Sequence, residues 1–79
     1  MPISFDAFQI RLESEFECEF LTNVRAGGPG HHSVTFQVKG PSGALAGGAV
    51  DLDETDHLPD GEVTKVCGLL GIDPANFIP

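Results

Sequence analysis

The longest regular pattern of apolar and polar positions runs from Phe8 to Phe20. Phe8, Ile10, Leu12, Phe16, Cys18 and Phe20 occupy even positions, interrupted by Ser14, while Gln9, Arg11, Glu13, Glu15, Glu17 and Glu19 fill odd ones. A period of two predicts a half-buried strand. Phe5, Phe8, Leu12 and Phe16 also keep the i, i+3, i+7 rhythm of an amphipathic helix, with Ile10 and Phe20 off the stripe, so a helix followed by a strand is the alternative over residues 5–16.

Asn23 to Gly30, which includes Gly27, Gly28 and Pro29, is turn material suited to a hairpin loop. His32, Val34, Phe36 and Val38 then alternate with Ser33, Thr35, Gln37 and Lys39 as a second strand, which Gly40-Pro41-Ser42-Gly43 ends. After a small-residue stretch from Ala44 to Ala49, Val50-Asp51-Leu52-Asp53 resumes the alternation as a short third strand. Near the end, Asp60 can cap a helix with Glu62 in its first turn and Val63, Val66, Cys67 and Leu70 on one face; Gly71 stops it. Asp73-Pro74 starts one more turn that carries Phe77 back towards the core. The expected fold class is α+β: a three-stranded antiparallel meander with one C-terminal helix packed on its apolar face.

With 79 residues the chain is read as a single domain, 1–79, holding one core. Hydrophobic residues make up 41% of it, enough to order a compact layer, and the aromatic residues are all Phe, which removes the Tyr and Trp that usually stack on bases. Charge changes the picture most. Four basic residues, Arg11, Arg25, Lys39 and Lys65, stand against twelve acidic ones, and 4 − 12 gives −8. Such a surface repels phosphate, so direct nucleic-acid binding and binding to anionic membranes are not expected, while a basic protein surface suits it. Cys18 and Cys67 form no CxxC pair and read as buried thiols in a reducing compartment. With no basic leader before an apolar run and no span of bilayer length, the expected location is the cytoplasm.

Two acidic segments are the candidate binding residues. On a strand, Glu13, Glu15, Glu17 and Glu19 would project from one sheet face at intervals of about 6.6–6.8 Å, a ladder resembling a line of phosphates. Asp51, Asp53, Glu54 and Asp56 form the second segment, which lacks the central Gly and closing Glu of a calcium loop. The bland reading of both is a solvated face that deters edge pairing. His31 and His32, as neighbours on a strand, point to opposite faces and cannot readily hold one ion; no metal or cofactor is expected.

Gly30-His31-His32, followed by Leu58-Pro59-Asp60-Gly61-Glu62-Val63 and Leu69-Leu70-Gly71-Ile72, resembles segments of HicA-type mRNA interferase toxins. That resemblance implies an αβββα fold and a ribonuclease with His31 as its catalytic acid or base. The stretch from His32 to Asp53 is similar to the histidine strand and acidic strand end of T-fold pterin synthases. The leading expectation is a non-enzymatic acidic interaction module. It would be a small inhibitor of a basic, nucleic-acid-handling protein, of the kind phages and mobile elements encode, docking a nucleic-acid-mimicking face. The alternatives are the HicA-like toxin and a structural module that forms a homodimer through a sheet edge.

Overall fold

The computed structural model describes residues 3–26 and 32–78. The elements follow the order α1 (Phe5–Glu15), β1 (Glu19–Ala26), β2 (Ser33–Lys39), β3 (Leu45–Asp51), α2 (Asp60–Leu70) and a closing 3-10 turn, Pro74–Asn76. The strands pair antiparallel in the order β1-β2-β3, so the α+β meander with a helix after the strands is what the chain adopts.

The strand expected from Phe8 to Phe20 is corrected: the chain is helical to Glu15 and extended only from Glu19. Ser4 caps α1, its hydroxyl accepting from the Ala7 N–H at 3.2 Å, and Asp6 lies in the first turn near the positive end of the dipole. The stripe Phe5, Phe8 and Leu12 is fully buried, whereas Ile10, which a strand would have put inside, is 62% exposed. A left-handed Glu17 (φ 56°) ends the helix, and the Cys18 N–H reaches back to the Leu12 carbonyl at 3.0 Å. This bond spans one residue more than the 6→1 bond of a Schellman motif, and Glu holds the left-handed position that Gly usually takes.

On β2, Val34, Phe36 and Val38 point down and Thr35, Gln37 and Lys39 up. The downward face packs with α1, α2 and Phe77 in one cluster of buried residues, so both helices cover the same side of the sheet. α2 buries Val63, Val66, Cys67 and Leu70 as its spacing predicts and ends at a left-handed Gly71 (φ 74°). Its cap differs from expectation. Pro59 stands at the N-cap with no side-chain bond, and Asp60 is the first helical residue. The third strand is longer than expected, beginning at Leu45 and running through Gly47-Gly48. Gly47 has a positive φ (134°), and in that conformation a β-carbon would fall 2.2 Å from the Phe36 carbonyl oxygen, so only glycine fits there. Ser4 and His57 form an isolated antiparallel bridge, which with the Phe5 N–H to Asp56 carbonyl (2.9 Å) and Leu58 N–H to Ile3 carbonyl (2.9 Å) bonds ties the start of α1 to the loop after β3.

Equilibrium denaturation checks the helical reading. Phe8→Ala is expected to cost about 3–5 kcal/mol, as for a large-to-small change in a core. Ile10→Ala is expected to stay within about 0.5 kcal/mol, as at an exposed position. Comparable losses at both positions would restore the strand.

Candidate functional site

The helix breaks the glutamate ladder. Glu13 and Glu15 lie on α1, Glu17 forms the left-handed connector, and Glu19 opens β1 opposite Lys39. Their side chains therefore do not project from one strand face. Glu15 is neutralised locally, because the Arg11 guanidinium donates to both its carboxylate oxygens at 2.8 and 3.3 Å. That contact holds the Glu15 carboxyl below its ordinary range.

The second acidic segment forms the loop between β3 and α2 and is partly consumed in building it. The Asp53 carboxylate accepts from the backbone N–H groups of Thr55 and His57, both at 2.9 Å, and from the Thr55 hydroxyl at 2.9 Å. Those bonds hold the Asp53 carboxyl below the ordinary 3.8, the His57 N–H contributing most. Asp56, itself left-handed (φ 59°), meets the His32 ring at 3.0 Å and the Arg25 guanidinium at 3.7 Å. Arg25 also pairs with Asp6 and lies 5.1 Å above the Phe5 ring. One arginine on the edge strand thus joins α1 to this loop. The Thr55 hydroxyl also bonds the His57 ring, but Asp53 binds that hydroxyl rather than the far side of the imidazole. This arrangement staples a turn; it does not activate a nucleophile.

The register sets how the two segments are placed. Glu19, Lys39 and Leu45 share one end of the sheet, and Ala26, Ser33 and Asp51 the other. Six residues of β2 separate the two ends (39 − 33), about 20 Å of extended chain. The two acidic segments therefore form two separate acidic poles. Glu13, Glu17 and Glu19 are exposed at one, Asp51 and Glu54 at the other, and none of the five takes part in an ion pair among the described residues.

His31 lies outside the described residues. The element order α1-β1-β2-β3-α2 is the one that the HicA-type resemblance implies. Among the described residues, no group of three His, Cys, Asp or Glu side chains could hold a metal ion, and no helix is long and apolar enough to cross a membrane. Cys18 and Cys67 are buried free thiols; desolvation pushes Cys67 up to about 11 and also raises Cys18, so both are poor nucleophiles near neutral pH.

One feature escaped the sequence reading. A groove of about 330 Å³ lies at β3, where the glycine pair leaves β2 uncovered: Leu45 to Gly48 of β3, Phe36 and Gln37 of β2 and Leu69 of α2 line it. Leu45 is 50% and Leu69 52% exposed. The exposed Leu69 and the side-chain-free Gly47-Gly48 pair were the available signals, but only the turn of α2 back along β3 brings them together.

No family model, curated protein or solved structure matches the chain.

A carboxylate whose folded pKa is depressed stabilises the fold above its unfolded pKa, and that contribution disappears as pH falls through the folded value. Asp53 is therefore expected to titrate below 3.8 by carboxyl NMR. Asp53→Asn is expected to lower stability at neutral pH and to make stability less sensitive to acid below that value. A midpoint at or above 3.8 would show that the loop bonds do not hold the charged form.

Proposed function

We propose that this chain is a non-enzymatic acidic interaction module that captures a basic protein surface. The observation that carries this reading is where the charges go. Both arginines are committed internally: Arg11 to Glu15 and, at 2.6 Å, to the Asn76 carbonyl, and Arg25 to Asp6 and Asp56. Glu13, Glu17, Glu19, Asp51 and Glu54 are left projecting into water without a positive partner among the described residues. Side chains spent on the fold do not explain this excess.

Because the poles are about 20 Å apart, further than a Debye length of about 8–10 Å at physiological salt, each acts on a partner separately. The proposal is thus capture through one pole at a time rather than imitation of a continuous phosphate line.

The test compares capture of basic proteins by the immobilised wild type, Glu17→Lys/Glu19→Lys and Asp51→Lys/Glu54→Lys, at low and high salt. One double reversal is expected to weaken capture at least about tenfold while the other leaves it nearly intact, with wild-type capture falling steeply as salt rises. Salt-insensitive capture that survives both reversals would contradict the proposal. So would growth arrest on expression that His31→Ala relieves, which would favour the ribonuclease reading instead.

A further inference from the structure

We infer that the free edge of β3, with the Leu45–Leu69 groove beside it, is a docking site for an extended basic segment of a partner protein, which would add a fourth strand to the sheet. This inference rests on the acidic-module reading and names the partner's form and where it binds.

The ladder shows which backbone groups are available. The Leu52 N–H bonds the His32 carbonyl at 2.8 Å, and the Gly40 N–H the Ala44 carbonyl at 2.8 Å. Both bonds extend the β2–β3 register, which pairs Val34 with Val50 and Val38 with Ala46. In an antiparallel ladder, residues alternate between turning both backbone groups towards the partner strand and turning both away. Ala46, Gly48 and Val50 therefore face β2, and the N–H and C=O groups of Leu45, Gly47, Ala49 and Asp51 face outward. β3 is the last strand in the sheet order, and among the described residues no other segment pairs with that edge.

Beside these groups the groove offers room for a side chain. A β-carbon built on Gly48 meets nothing within 4 Å, and Leu69 forms the opposite wall. An apolar residue of an added strand that points to the helix side would enter this space. Strand addition of this kind takes its affinity from main-chain bonds and its specificity from alternate side chains.

Charge identifies the occupant. Leu45 and Leu69 mark one end of the edge, and Gly40 beside Leu70 shows that α2 finishes there (3.3 Å from the position of a Gly40 β-carbon). The opposite end carries Asp51, then Asp53 and Glu54 in the loop, then Asp60 and Glu62 in the first turn of α2. A matching segment has an apolar residue at one end and, about six residues or 20 Å away, Lys or Arg. A second copy of this chain would bring another net charge of −8 to the same edge, so the basic segment is the better match.

The experiment uses the full chain and a capped synthetic peptide of alternating Val and Thr, carrying one Leu and, about six residues away, two Lys, made in both orders. On binding, amide exchange at Leu45, Gly47, Ala49 and Asp51 is expected to slow at least about tenfold, while Ala46, Gly48 and Val50 are already slow in the free protein. Methylating alternate peptide nitrogens, Leu69→Ser, and Asp51→Asn/Glu54→Gln are each expected to weaken binding about tenfold. Three outcomes overturn the site. In the first, the peptide binds and perturbs Glu13–Glu19 while the edge amides stay unchanged; in the second, the edge is protected in the free protein in proportion to its concentration, which assigns it to a second copy; in the third, neither peptide binds. If peptide binding fails while salt-sensitive capture by the wild type persists, the edge site alone falls. Loss of both overturns the acidic-module reading as well.

Discussion

The ring of Phe36, in the middle of the central strand, meets Phe5 at the start of α1 and Phe20 near the start of β1. The centroids lie 5.2 and 6.0 Å away, and Phe5 and Phe20 complete the triangle at 6.1 Å with an edge-on geometry. Aromatic pairs of this kind add about 0.5–1.5 kcal/mol each beyond the area they bury. A three-stranded sheet in so short a chain has enough apolar material to cover one face, and this triangle decides which face it is. Once Phe5 lies against Phe36, α1 must run under the sheet, α2 must share that side, and Phe77 closes the far end against Phe8 at 4.9 Å with Arg11 4.7 Å above its ring.

The surface follows from that choice. Because α1 occupies the covered face, the acidic stretch after it wraps around one end of the sheet instead of lying along a strand. The loop after β3 then has to receive both the N-terminal segment and Arg25, which is why Asp53 and Asp56 are bound into its backbone and side-chain contacts while Asp51 and Glu54 remain outside. Among the described residues, no further strand pairs with the outer edge of β1 or of β3. α2 lies alongside the β3 edge without closing it, since Gly47 and Gly48 carry no side chains to meet Leu69.

Much of this plan is visible in the residues. The alternation of β2, the stripe and glycine stop of α2, the return of Phe77 and the burial of both cysteines all read directly from the residues. The first twenty residues do not read so simply. Phe8, Leu12 and Phe16 satisfy periods of 2 and 3.6 equally, so Ile10 and Ser14 had to arbitrate, and each is weak evidence alone. The change of period occurs at Glu17, where a left-handed backbone is held by a non-glycine residue. A glycine there would have marked the helix end; Ser4, the cap, was the better signal. The length of β3 was hidden for the opposite reason. Gly47 is disfavoured in strands in general but required in this one by the Phe36 carbonyl, a contact that no local pattern encodes. The acidic residues stand out in the sequence by their excess, whereas their arrangement depends on the helix and could not be read without it.

The central claim is that residues 5–15 are helical and that the chain becomes extended only after Glu17, which separates the acidic residues into two poles. Backbone Cα chemical shifts of the intact protein test this most directly. The account predicts helical shifts from Phe5 to Glu15, a left-handed signature at Glu17 and strand shifts from Glu19, with contacts from the Phe5 ring to both Phe20 and Phe36. Continuous strand shifts from Phe8 to Phe20 would contradict it and return the glutamates to a single face.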